Sequence, residues 1–232
     1  MPLPGGRGSH RLHHIHITCQ ISIPLKHLIR HLVSNHLSTI VSQSLLHCHV
    51  RGLHSIMLLQ CRERTIRLYV TSSDHEMWHN YPASYGQAPL SIGFHAHHCN
   101  LTLDVVRGSI FNWTVKPSRK GFLSDRYIWQ SPIEMERPGG FILDAQGEVM
   151  DTVGQTVLDV GEWTMMQASE IHTVAVQQGA IAAWLVYEGL EDTGYVPYTW
   201  SNAPLEEFST DSLYIKPTQQ EVIDLLISAE LI

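Results

Sequence analysis

Apolar residues recur along this chain with two periods, and the change from one to the other organises it. From Leu25, the positions Leu25, Leu28, Ile29, Leu32, Val33, Leu37, Ile40, Val41 and Leu45 follow a spacing near 3.6, with Lys26, Arg30 and several histidines on the other faces. That pattern predicts an amphipathic helix. Beyond residue 66 the spacing falls to two. Residues 67–71, 109–115, 127–130, 140–143, 149–153 and 156–159 read as short strands between Gly, Pro and Asp turns, and residues 180–188 as a strongly apolar core strand. The turn at residues 116–121 is expected to close a hairpin. Strands at this spacing, with no helical period between them, predict an all-β sandwich or barrel. A helical period returns in residues 219–232 behind Pro217 and Thr218, which predicts a short C-terminal helix.

Charge sharpens the division. The whole chain carries −7, which argues against a nucleic-acid binder, yet residues 1–66 hold seven Lys or Arg and a single acid, Glu63. Ten of the sixteen histidines lie there too, and no Trp, Tyr or Phe. A stretch without aromatics lacks the large side chains that dominate cores. The organisation expected is a basic, His-rich extension over residues 1–66, a barrel over 67–215 and a helix over 216–232. Within the extension, residues 1–18 read as disordered. His13, His14 and His16, like His47, Cys48 and His49, read as a His-rich tail with no defined site. An acid-poor amphipathic start also resembles a mitochondrial transit peptide, and a later start at Met57 or Met77 is a further alternative. The four cysteines show no Cys-x-x-Cys, and no apolar run reaches the length of a membrane span. A soluble, cytoplasmic chain in a reducing compartment is expected.

The candidate chemistry lies in residues 93–108. If they run as a strand, His95 and His97 project from one face, roughly 7 Å apart, and His98 from the other. Two imidazoles on one face can share a metal ion. His-x-His occurs three times, where the composition alone would give about one. The pair at 95 and 97 differs from the others in its β-branched setting, its turn-forming Gly108 and a later partner, His172, in the stretch 161–172.

These two segments resemble the two sequence motifs of the cupin superfamily, with His95, His97 and Gly108 on the first and Gly161 and His172 on the second. The departures are specific. The carboxylate of the first motif falls on Leu101 or Thr102 and is absent, while Pro89, Gln167 and Ser169 stand where the motifs have Gly, Pro and Gly. The resemblance covers residues 88–188 and implies a cupin-like jelly-roll barrel whose metal ligands are His95, His97 and His172.

Three neutral imidazoles suit Fe(II), Zn, Mn, Ni or Cu and leave positions open for substrate or O₂. The set resembles that of thiol dioxygenases and several cupin oxygenases. The activity implied is therefore a non-haem iron dioxygenase acting on a small organic molecule, with Fe(II) favoured. A metal-assisted isomerase or decarboxylase, or a non-catalytic ligand-binding module, are the alternatives, since a fold does not fix a function. Glu170, if extended alongside His172, is a candidate general base or ligand. Cys99, Trp113, Trp129, Met165, Trp184 and Tyr187 are candidates to line the pocket, or plain core. The resemblance also implies a homodimer.

Overall fold

The computed structural model describes residues 22–62, 64–80, 93–130, 140–190, 196–203, 205 and 212–232. The elements are α1 (Ser22–Gln43), β1 (Leu53–Gln60), β2 (Thr65–Thr71), a 3₁₀ turn (Met77–Asn80), β3 (Phe94–His95) and β4 (Leu101–Arg107). They continue as β5 (Ser109–Gln130), β6 (Gly140–Asp159), β7 (Trp163–Met166), β8 (Ile171–Ala175), β9 (Ala183–Glu188), β10 (Tyr198–Ser201) and α2 (Gln219–Ser228). The strands form two five-stranded antiparallel sheets, ordered β1-β2-β9-β4-β7 and β10-β3-β8-β5-β6. This is an antiparallel β-sandwich with one helix before its first strand and one after its last among the described residues, as the apolar periods predict. No helix among the described residues is long and apolar enough to cross a membrane.

Both faces of β9 are covered, which explains its unbroken apolar run. Trp184 and Val186 point between the sheets, where they meet Leu101, Leu103, Val105 and Ile110. Ala183 and Leu185 point outward with Ile56, Leu68 and Val70 against Leu25, Ile29 and Ile40 of α1 and Val222 and Leu226 of α2. Alternation along a strand thus supplies two cores. α1 bends at His36, whose φ of −135° is not helical. α2 starts at a capping box in which Thr218 and Glu221 satisfy each other's backbone N–H groups.

Two expectations are corrected here. Residues 53–60, expected in the extension, belong to the sheet: β1 pairs with β2 from Leu53↔Thr71 to Gln60↔Thr65. Its core is aliphatic, built from Leu53, Ile56, Met57 and Leu58, so the lack of aromatics misplaced the boundary. Second, residues 116–121 do not close a hairpin. β5 runs straight through them, with Pro117 and Phe122 both opposite Met150, so that residues 118–121 bulge out of one long strand. Gly121 has φ +147°, and a Cβ there would collide with the Met150 carbonyl. The chain turns back only after Gln130. Residues 1–18, read as disordered, lie outside the described residues.

Candidate metal centre and cavity

The second sheet brings the histidines together. β3 is two residues long and lies between β10 and β8, where His95 pairs directly with His172. Directly opposed residues hold their side chains on one face about 5 Å apart. His97 arrives differently from the expected strand: pairing ends at His95, and the chain turns through residues 96–100 before β4. That turn is fastened by the His97 N–H to the Ala168 carbonyl (2.9 Å), by Ala168 N–H to Asn100 Oδ1 (2.8 Å) and by Gly189 N–H to the Asn100 carbonyl (3.1 Å). Gly108, with φ +67°, lets β4 pass into β5 where a Cβ would lie 2.8 Å from the Ile181 carbonyl.

The result is a compact triangle. Ring centroids are separated by 4.8 Å (His95–His97), 4.9 Å (His95–His172) and 5.0 Å (His97–His172), and one ligand nitrogen from each lies within 4.8 Å of the others. His97 Nε2 and His172 Nε2 are 2.8 Å apart. Two nitrogens each about 2.1 Å from one ion at right angles would be separated by about 3 Å, so these two are close enough to share one. Two of the remote nitrogens are engaged. His172 Nδ1–H donates to Asn112 Oδ1 (2.6 Å), and His95 Nδ1–H donates to the Gly93 carbonyl (3.3 Å), which leaves both Nε2 lone pairs facing the centre. The Asn112 amide also reaches Met166 Sδ at 3.6 Å.

Burial pushes the pKa of all three imidazoles down. For His97 and His172 the fall is large: burial contributes most, and neighbouring imidazoles add to the penalty on a positive charge, His95, His172, His49 and His98 for His97, and His95 and His49 for His172. The neutral form that binds metal is therefore the one the fold selects.

The triangle forms part of the wall of a cavity of about 400 Å³ between the sheets. Trp129 and Trp184, both expected, line it, together with Tyr69, Phe141, Tyr198 and Tyr214. Tyr69 stacks on Trp184 at 5.7 Å, and Trp129 lies 5.0 Å from Tyr214. Arg67 and Glu188 face the same space and pair at 3.3 Å. Cys48 also lines it, and burial pushes its thiol up to about 12.

The other expected residues lie elsewhere. Trp113 is buried with Phe94, Val115, Ile171 and Trp200. Tyr187 packs in the outer core beneath the helices, and Met165 is 70% exposed on β7. Cys99 is buried but not at the cavity wall, whereas His98, expected on the opposite face, borders the cavity. Glu170 sits in the turn before β8, its N–H bonded to the Gln167 carbonyl, and its carboxylate accepts from Thr114 Oγ1 at 3.4 Å. It belongs neither to the triangle nor to the wall. The strand it was expected to share with His172 begins one residue later.

His49 is the main residue missed. Its ring opens on the cavity, stacks 5.7 Å from His95 and is hydrogen-bonded through Nδ1 to Tyr214 Oη at 3.0 Å. Enclosure by protein, then the charges of His95 and Arg67, pull its pKa down to about 3. The signal was present in the His47-x-His49 spacing, but only the pairing of its segment with the rest of the sandwich gives it a place. Asn112 was missed as well, and its signal was an amide set between Phe111 and Trp113 in the strand read over residues 109–115.

No family model and no curated protein sequence matches this chain. Among solved structures it is similar to hydroxypropylphosphonic acid epoxidase from S. wedmorenis, at 12% identity and a TM-score of 0.34, over 64% of this chain and 56% of that one. It is also similar to a cupin superfamily protein from Desulfitobacterium hafniense DCB-2 (10% identity, TM-score 0.30, 60% of this chain and 78% of that one). A third is hydroquinone 1,2-dioxygenase from Sphingomonas sp. TTNP3 with 4-hydroxybenzoate bound (13% identity, TM-score 0.29, 58% and 64%). This chain thus spans little more than half the length of the epoxidase.

Proposed function

We propose that this chain is a metal-dependent oxidoreductase of the dioxygenase type, acting on a small organic molecule, with His95, His97 and His172 as the metal ligands and Fe(II) the favoured ion. The observation that supports it most is the triangle itself: three buried imidazoles converge beside an aromatic-walled cavity, two of them with the remote nitrogen tied back. A protein that binds only an apolar ligand has no need to hold three desolvated imidazoles together. Zn, Mn, Ni or Cu would fit the same donors.

His95, His97 and His172 would hold Fe(II), which when bound would supply the chemistry that activates O₂ toward the substrate. The chain's own residues do the rest. Asn112 and the Gly93 carbonyl hold two rings in the required tautomer and orientation, and the aromatic wall excludes water and packs against the substrate. Incorporation of both oxygen atoms into one molecule needs no external reductant. None of the cavity residues has to supply one.

The test is metal content of the full chain after anaerobic loading, followed by oxygen uptake with phenols, enols and thiols. About one equivalent of metal, lost from the double variant His97→Ala/His172→Ala, and uptake equal to substrate consumed are expected. Metal retained by that variant would overturn the ligand assignment. Turnover without oxygen consumption would instead favour an isomerase or decarboxylase.

A further inference from the structure

We infer that the cavity takes a flat, aromatic molecule that carries a hydroxyl and no charged tail, with Tyr214 and His49 as the hydrogen-bonding handle for that hydroxyl. The inference rests on the metal-centre reading in taking this cavity as the working site.

The shape of the wall supports flatness. Trp129, Phe141, Tyr198 and Tyr214 present rings to the space, with Trp129 at 4.8 Å from Phe141 and 5.0 Å from Tyr214. Such surfaces hold a planar ring by offset or edge contacts at these separations. Charge pairing supports the missing tail. Among the described residues Arg67 is the only Lys or Arg in the wall, and Glu188, the only carboxylate there, pairs with it at 3.3 Å. A ligand carboxylate or phosphonate would have to displace Glu188 and leave a half-buried acid without its cation, which is costly.

The handle is built rather than incidental. His49 and Tyr214 come from opposite ends of the chain and meet at 3.0 Å with their rings edge to face. Both have positive φ, +69° and +58°, a backbone region that such residues keep only when their surroundings impose it. Backbone contacts impose it: Leu46 and Ile215 exchange hydrogen bonds of 2.8 and 3.2 Å, and Tyr214 N–H reaches the His47 carbonyl at 3.3 Å. The pair stands next to His95, so a ligand hydroxyl bonded to it lies beside the metal ligands.

The experiment is calorimetric titration of the full chain, as purified and after anaerobic addition of Fe(II), with four probes of similar size: 4-methylphenol, toluene, benzoate and benzylamine. We expect 4-methylphenol to bind at least tenfold more tightly than benzoate or benzylamine. Tyr214→Phe should weaken 4-methylphenol about tenfold and leave toluene unchanged, the toluene control also showing that the variant is folded. Glu188→Gln, which frees Arg67, should improve benzoate about tenfold. Benzoate bound as well as 4-methylphenol by the unaltered chain, equal loss of both uncharged probes in Tyr214→Phe, or no binding of any probe would each overturn the inference. Metal content is read on the same samples. Metal bound with the wrong probe preference sinks the substrate class alone, and the right preference without metal sinks the metal centre alone.

Discussion

Asn112 carries no chemistry of its own, yet it decides which nitrogen of His172 meets the centre. Replacing it by Ala removes that control, and metal affinity should fall 10–100-fold with the fold intact, as read by competition with a chromogenic chelator. His54 makes a separate prediction. It is buried on β1 with neither ring nitrogen hydrogen-bonded among the described residues. Burial, helped by neighbouring His47, lowers its pKa from 6.5 to about 4. The unfolded chain therefore binds a proton that the folded chain refuses, so stability is full above pH 6.5 and is lost as pH falls towards 4. The loss should be roughly 3 kcal/mol, and His54→Leu should remove it from denaturation midpoints compared at pH 7 and pH 4.5. At this scale the sequence displayed His95, His97 and His172 because motif spacing is local information. It hid His49 and Tyr214, whose meeting depends on a bridge between residues 46 and 215.

Elements were legible where period and burial agree and illegible where a local turn signal is absorbed by a longer ladder. Pro117 and Gly121 are turn-formers, and the chain does depart from the sheet there, but β6 holds the strand on either side in one direction. Seventeen paired positions along β5 and β6 outweigh four register shifts, of which the one between Pro117 and Phe122 is the largest. Gly121→Ala should consequently destabilise the ribbon by more than about 1 kcal/mol, since the added carbon collides with backbone that β6 fixes. A fall in thermal midpoint with a changed near-ultraviolet spectrum would report it. The C-terminal helix was legible from its Pro217-Thr218 start, and the structure adds the reciprocal bond from Glu221. Thr218→Ala should cost about 1 kcal/mol in chemical denaturation. That effect should be independent of metal, because α2 packs on the outer face of the first sheet rather than at the cavity.

Taken whole, the molecule does not divide at residue 66. A chain begun at Arg67 would lack α1, β1 and His49, would bare the outer face of β2 and β9, and would open the cavity beside Tyr69. It is expected to be aggregated or to melt without cooperativity by circular dichroism, whereas the full chain should melt as one unit. Composition misled there because it averages over a segment whose second half is sheet. The same bridge that seats His49 has a consequence in time. Leu46 cannot pair with Ile215 until residue 215 has been synthesised, so α1 and β1 leave the ribosome long before the segment that completes their side of the cavity. Long-range closures of this kind are slow. In refolding, the fluorescence of Trp129, which lies against Tyr214, should therefore settle in a later phase than the growth of β-structure.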